Sequence, residues 1–590
     1  MHKGGKFLTI PITEDQIFTR EKFTEEQHEF FNMVKDFAES TIAPITDEID
    51  KLDQELSRKL MAEMGGMGML GIDIPEVYGG MEMDKATSSL VGEALTYGQN
   101  ASLVVTYSDQ TGIAMLPILW YGNDAQKEKY LPKLVTGEWI GSYALTEPGS
   151  GSDALAVKTT AKLNEAGTHY ILNGVKQYIT NGSWADVGVV FANAEGGKFT
   201  AFILDKDCKG WNRGPEEKKL GIKGSSTTTY VLEDCEVPVE NVLGEVGKGA
   251  AIAFNVLYVG RYKLGAVTLG GAKSVIKVAL KYAKERKQFG QPIAAFGMLQ
   301  RKFADMVVRA YEADTIVYHT AGSMDEGIGD GKPDSYDYFL HLQKVIEDHA
   351  IETSTSKIIC SETLWRNVDD GLQVFGGYGY SEEYPLAKMY RDERINRIFE
   401  GTNEINRLII AGTVLKNALM ESLPLRTEAD RVRDNWLPDL DYEQAGDFAK
   451  AFKISELSRS LLLHAFDACL LKYGQDFKNR QWVMEPIANM VIAFMTLQGV
   501  LRRQLQLPEN YGKRKVANTL ARISIAKRFS EISELVRVIW GHTLSHEERQ
   551  AAEIRLHEHV HEIGFFPDTI ADKQAVVAAL YEAGEYFMND

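Results

Sequence analysis

Between about residues 140 and 240 the spacing of apolar residues changes, and that switch limits the folds open to this chain more than any other feature. On either side apolar positions recur at three- and four-residue steps, the period that lines one face of a helix. Before the switch they do so in Phe23–Ile42, Arg58–Met69 and Ser88–Tyr107, and after it in long segments from Gly249 through Ala411. Inside it stand short β-rich runs, Tyr170-Ile-Leu, Gln177-Tyr-Ile-Thr, Val187–Ala192 and Phe199–Leu204, separated by Gly, Asn and Asp turns. A charged, Pro-containing connector, Glu421–Asp447, then leads into amphipathic helices at Phe448–Tyr473, Trp482–Arg503 and Lys515–Trp540. The expected fold is mainly α with a middle β domain. It has an N-terminal helical domain over 20–140 and a small β-barrel or sheet domain over 141–245. A four-helix bundle over 246–415 follows, broken by a Gly/Asp-rich link at Met324–Asp337, and an extra C-terminal helical domain covers 445–590. No internal repeat or low-complexity tract points to a solenoid or a disordered chain.

A chain of 590 residues exceeds one hydrophobic core, so several units are expected. No stretch approaches the roughly 20 uninterrupted apolar residues of a membrane span, and membrane contact is not expected. The opening Met1-His-Lys-Gly-Gly-Lys lacks the apolar core of a secretory leader and the Arg-rich character of a transit peptide, so a cytoplasmic location is expected. A net charge of -18 argues against nucleic-acid binding, which needs clustered Lys and Arg. Cys208, Cys235, Cys360 and Cys469 form neither a CxxC pair nor a disulfide framework, and read as reduced, structural thiols.

The chemistry centres on Arg397-Ile-Phe-Glu400-Gly-Thr-Asn-Glu404-Ile-Asn-Arg407. Glu400 stands between an apolar pair and a Gly-Thr turn, a placement that favours desolvation. Burial disfavours the charged carboxylate and raises its proton affinity, which suits a general base acting on a carbon-bound proton. The same residues also suit a glutamate that merely caps a turn.

Leu145-Thr146-Glu147-Pro148-Gly149-Ser150-Gly151-Ser152-Asp153 packs hydroxyls, backbone donors and glycines into nine residues, enough to wrap a polar ligand or to form a decorated hairpin turn. Lys176-Gln-Tyr178-Ile179-Thr180-Asn181-Gly182 reads as a strand entering an Asn-Gly turn. Two Gly-rich segments imitate nucleotide loops. Gly244-Glu-Val-Gly247-Lys248-Gly249 lacks P-loop spacing, and Phe375-Gly376-Gly377-Tyr378-Gly379 follows a helix instead of a strand, so a Rossmann domain is rejected. His557-Glu558-His559-Val560-His561 satisfies H-E-x-x-H but sits in a charged helical tail with no evident third ligand. No bound metal is expected, and a zinc hydrolase at His557 and His561 is kept as a minor alternative.

Taken in order, these segments resemble the acyl-CoA dehydrogenase family of FAD flavoproteins over about residues 20–415. The matches are Thr146–Asp153 to its T-E-P loop, Tyr178–Gly182 to its W-I-T-N-G strand, Arg286-Lys-Gln-Phe289-Gly290 to its R-x-x-F-G turn, Gln373–Gly379 to its Q-x-x-G-G-x-G segment, and Glu400–Thr402 to its E-G-T segment. The added helices after about Leu415 are most similar to the longer, very-long-chain type, whose members form dimers.

The resemblance implies FAD held between the domains. Leu145, Thr146 and Ser152 would lie at the flavin, Ser152 also near the CoA moiety, while Tyr178 and Thr180 would meet the isoalloxazine ring. Arg286 and Phe289, joined by Gln373 and Gly377, would hold the pyrophosphate or adenine end of FAD across a homodimer interface, and Thr402 and Glu404 the FAD of their own subunit. Arg261 would lie near the CoA adenine, and Gly401 against the substrate. The implied reaction is α,β-dehydrogenation of a fatty acyl-CoA to the trans-2-enoyl-CoA. Glu400 takes the α-proton, a β-hydride passes to flavin N5, and the Glu400 N–H with a ribityl hydroxyl forms the oxyanion hole. The electron acceptor implied is electron-transferring flavoprotein, with an oxygen-using acyl-CoA oxidase as the alternative. Members acting on branched acyl groups carry the base immediately before the arginine matched by Arg261, where this chain has Gly260, so the base stays with Glu400. The usual Trp of W-I-T is Tyr178 here. The helical segment Gly98–Thr111 neither closes nor opens a deep channel, and medium to long acyl chains are favoured.

Overall fold

The structure is a computed structural model describing residues 4–12, 16–329 and 336–589. The longer N-terminal helices, α1 (Glu25–Phe37), α2 (Gln54–Gly66), α3 (Lys85–Leu95), α4 (Ala101–Ser108), α5 (Met115–Tyr121) and α6 (Asp124–Val135), form the first layer. Polar side chains start most of them. Thr24, Asp53, Asp84, Asn100 and Asn123 each accept a backbone N–H from the first turn, satisfying donors the helix cannot. The continuous helix expected over Ser88–Tyr107 is two helices. Gln99 takes a left-handed conformation (φ 53°) that ends the first helix, Asn100 caps the next, and Gly98 before them packs so closely on Ile42 that a Cβ would stand 2.9 Å from its Cγ2.

The middle unit is an eight-stranded mixed sheet: β1 (Gly141–Ala144), β2 (Thr160–Leu163), β3 (His169–Thr180), β4 (Val187–Ala194), β5 (Lys198–Asp205), β6 (Trp211–Arg213), β7 (Thr227–Pro238) and β8 (Val242–Leu243). The order is β6-β7-β3-β2-β4-β5-β8, with β1 parallel to β4 (Gly141 opposite Val187). The runs at Tyr170 and Gln177 belong to one strand, β3. Its register against β7 shifts between Lys176 and Ile179, and within this bulge Tyr178 takes the left-handed region (φ 60°) and is 60% exposed.

Four long helices follow: α7 (Gly249–Glu285), α8 (Gly297–Ile328), α9 (Ala350–Phe375) and α10 (Asn403–Leu419). α7 packs along α9 and α8, and α10 packs on α9. The expected link Met324–Asp337 begins inside α8 and lies partly outside the described residues. The connector 421–447 is more ordered than its composition suggests, containing the helix Leu425–Asp434.

The C-terminal unit is α11 (Ala449–Tyr473), α12 (Gln481–Gln506), α13 (Arg514–Thr543), α14 (His546–Ile563) and α15 (Thr569–Ala583). By length and composition α12 could cross a membrane, but 83% of its most apolar window is buried against α8, α10, α11 and α13, as in a core helix. One ionic cluster joins this unit to the others. Asp314 of α8 accepts from Arg20 Nε (2.8 Å), Lys273 Nζ (2.6 Å) and Arg503 Nη1 (2.9 Å), and all four side chains are 1% exposed or less. Three cations around one carboxylate hold it well below the usual range despite burial.

Candidate active site

A largely apolar cavity runs along one face of α7, whose Gly260, Leu264, Val267, Gly271 and Val275 recur at helical spacing. Opposite stand Val104 and Val105 of α4, Leu364 and Val368 of α9, and the segment from Met389 to Glu400. At 1.5 Å per residue, Gly260 and Val275 are about 22 Å apart.

Glu400 sits at the Gly260 end. Its backbone is left-handed (φ 57°), a strained conformation for a non-glycine residue, and Gly401 follows at φ 80°. The turn is held from three sides. Arg261 Nε donates to the Glu400 carbonyl (3.2 Å) and Lys357 Nζ to the Gly401 carbonyl (2.9 Å). Asn406 Nδ2 donates to the carbonyls of Gly401 (2.8 Å) and Thr402 (3.1 Å). Thr402 then caps α10 by accepting from Ile405 N (3.2 Å). Strain at a carboxylate, stabilised by neighbours on other helices, is how a fold fixes a reactive group.

The Glu400 Oε2 is buried without a hydrogen-bond partner. Desolvation pushes its pKa up to about 7, against the opposing pull of Arg261 and Lys357. Asp109 lines the same cavity and accepts from Asn181 Nδ2 (3.3 Å). Burial and the proximity of Glu400 hold it far above the ordinary carboxylate range. Lys357 is fully buried, also donates to Asn403 Oδ1 (2.6 Å), and is pulled down to about 7 by burial.

Of the residues expected at the site, Glu400 and Thr180 line the cavity, with Gly401 and Thr402 in the adjoining turn. Arg261 is 4% exposed, lies over the Tyr258 ring (4.7 Å) and donates to the Glu400 carbonyl, so it stands at the Glu400 turn. Leu145 is buried, Thr146 accepts from Gln177 N through its carbonyl (2.9 Å), Ser152 and Glu404 are exposed, and Tyr178 is 60% exposed. Arg286, Phe289, Gln373 and Gly377 are all exposed, and Arg286 lies over the ring of Tyr378, the residue after Gly377 (5.3 Å). Lys357, Asn406 and Asp109 carry no mark in the sequence. Their partners are 44, 5 and 72 residues away, and no local pattern signals the two distant ones. His557 and His561 are both exposed on α14, and among the described residues no group of three His, Cys, Asp or Glu is placed to hold a metal.

The likeness to known proteins extends over the whole chain. Models of the acyl-CoA dehydrogenase N-terminal, middle and C-terminal domains match residues 24–138, 142–235 and 247–415. A probable acyl-CoA dehydrogenase of Bacillus subtilis (strain 168) is 42% identical over 535 residues, 90% of each chain. The mitochondrial very long-chain specific acyl-CoA dehydrogenase of Homo sapiens is 32% identical over 534 residues, 83% of this chain and 77% of that one. A crystal structure of an acyl-CoA dehydrogenase complexed with FAD from Bacillus anthracis superposes with a TM-score of 0.93 at 38% identity, covering 99% of this chain and 100% of that one.

Proposed function

The chain belongs to the acyl-CoA dehydrogenase family, and on that premise we propose that it desaturates medium- to long-chain acyl-CoA thioesters with Glu400 as the α-proton base and electron-transferring flavoprotein as the acceptor. One observation carries this reading: an unpartnered carboxyl oxygen of Glu400, desolvated at the end of an apolar cavity with its proton affinity near neutrality. A base of that affinity is matched to its task at physiological pH.

The residues present fit FAD. Gly149, Gly151, Gly376 and Gly377 have nothing within 4 Å of where a Cβ would stand, leaving open backbone for a dinucleotide. Thr180 lines the cavity and Tyr178, 60% exposed, stands two residues before it in β3, so this strand end would offer a bound flavin a hydroxyl and a ring. When bound, FAD supplies the oxidant, accepting the hydride lost from Cβ.

The protein does the rest. Gly260 leaves room for the Glu400 carboxylate, the apolar walls exclude water, and Glu400 takes the α-proton. The Glu400 N–H is the proposed donor to the thioester oxygen, where charge develops, and Arg261, Lys357 and Asn406 fix that peptide. The length of α7 lining the cavity, about 22 Å, supports long acyl chains. Arg286 lies just beyond the end of α7, about 38 Å along the helix from Arg261 at the Glu400 turn. That separation supports a homodimer in which Arg286 and Phe289 serve the partner's FAD.

Anaerobic titration with a series of acyl-CoA chain lengths tests the reading. The wild type is expected to bleach, most readily with long chains, while Glu400→Gln retains FAD without bleaching. Bleaching by the Gln variant at the wild-type rate contradicts it.

A further inference from the structure

We propose that Glu393 makes the acyl cavity selective for chains bearing a hydroxyl group, so that hydroxyacyl-CoA thioesters are preferred over plain alkanoyl ones. This rests on the acyl-CoA reading of the same cavity. Glu393 lines that cavity, is 3% exposed, and has both carboxyl oxygens buried without a hydrogen-bond partner. Its neighbour Asp392 is satisfied by Ile222 N (2.6 Å) and Lys388 Nζ (2.7 Å), and Asp109 accepts from Asn181. Apart from the base Glu400, Glu393 is therefore the cavity carboxyl left unbonded among the described residues, with both of its oxygens buried.

Buried polar groups are almost always paired, because an unmet one costs its full desolvation penalty. A plain hydrocarbon chain would leave Glu393 unmet. Burial pushes its proton affinity up to about 8, so at neutral pH it is mainly a neutral carboxyl, with one donor and one acceptor. A hydroxyl, which both donates and accepts, is its complement. An ammonium on the chain would be repelled by Arg394 and Arg397, which act on Glu393 electrostatically without bonding it. A chain-terminal carboxylate would enter a space already holding Glu400 and Asp109. Sites built to hydrogen-bond a substrate group discriminate strongly against analogues lacking it, because their own polar groups are then left unpaired.

The test compares holoenzyme and its Glu393→Leu and Glu393→Gln variants on three sets of thioesters: alkanoyl-CoA, hydroxyalkanoyl-CoA with the hydroxyl moved stepwise beyond Cβ, and ω-carboxyalkanoyl-CoA. Wild type should favour at least one hydroxyl isomer over the plain chain by about tenfold in kcat/KM. Glu393→Leu should abolish that preference and raise kcat/KM for the plain chain. Glu393→Gln, whose amide still donates and accepts, should keep the preference. The proposal is overturned if no hydroxyl isomer exceeds the plain chain in wild type, if the ω-carboxyl series is preferred, or if Glu393→Leu leaves the ratio unchanged, as it would if Glu393 merely paired with Arg394 or Arg397. Should Glu393→Leu fail to load FAD, the wild-type series and Glu393→Gln decide. Failure of every thioester to bleach wild type would instead count against the acyl-CoA reading.

Discussion

The Cβ that Gly260 lacks would stand 2.2 Å from Oε2 of Glu400 and 2.6 Å from its Cδ, so the carboxylate occupies the space a side chain on α7 would fill. Gly260 cannot itself supply a base, and its missing side chain is what lets Glu400 approach.

Gly260→Ala therefore should displace the carboxylate. Alanine favours a helix interior by about 1 kcal/mol over glycine, so the fold and FAD content should persist. The rate of flavin reduction should fall by about 10²-fold, the scale on which a 1 Å misplacement acts. Stopped-flow reduction beside thermal unfolding separates the two effects, and an unchanged reduction rate would show that the close approach is not needed.

The proton affinity of Glu400 predicts two opposite pH trends. As a base it works ionised, so the reduction rate should rise with pH through about 7 and level off above. Its folded-state value lies above that of an unfolded glutamate, so the stability it contributes is complete below the unfolded value and is lost as pH rises from about 4.5 through about 7. Glu400→Gln, which cannot ionise, should gain in Tm relative to wild type across that window, and equal Tm differences at pH 5 and pH 8 would contradict the burial.

Lys357 opposes the upward shift of Glu400 and binds the Gly401 carbonyl. Lys357→Met should move the midpoint of the pH–rate profile upward and cost about 1–3 kcal/mol of stability, since the Gly401 carbonyl loses one of its two donors and Asn403 Oδ1 loses its bond to the ammonium. A midpoint that stays in place would make Lys357 structural only.

Gly377 is exposed, with nothing within 4 Å of where a Cβ on its backbone would stand. Gly377→Leu should leave the monomer fold intact, as read by circular dichroism, while lowering retained FAD. Full FAD retention would remove this turn from the cofactor site.

The order of helical and β units was legible because each unit repeats its period many times, and Glu400 was legible because its neighbours are apolar on one side and Gly-Thr on the other. What surrounds Glu400 was not. Lys357 reaches the turn from α9 and Arg261 from α7, contacts made only when distant helices pack. The close packing of Gly98 on Ile42 was hidden in the same way, since Ile42 is a neighbour only in three dimensions. The bond from Arg261 to the Glu400 carbonyl was equally invisible, since the two residues are 139 positions apart.

Proton removal by Glu400 is most directly tested apart from any redox step. An acyl-CoA with sulfur in place of its β-carbon cannot lose a β-hydride, so in deuterium oxide only α-proton exchange remains, and mass spectrometry follows it. Wild-type holoenzyme should exchange the α-protons, and Glu400→Gln with equal FAD content should not. Exchange by the Gln variant at the wild-type rate would contradict Glu400 as the base.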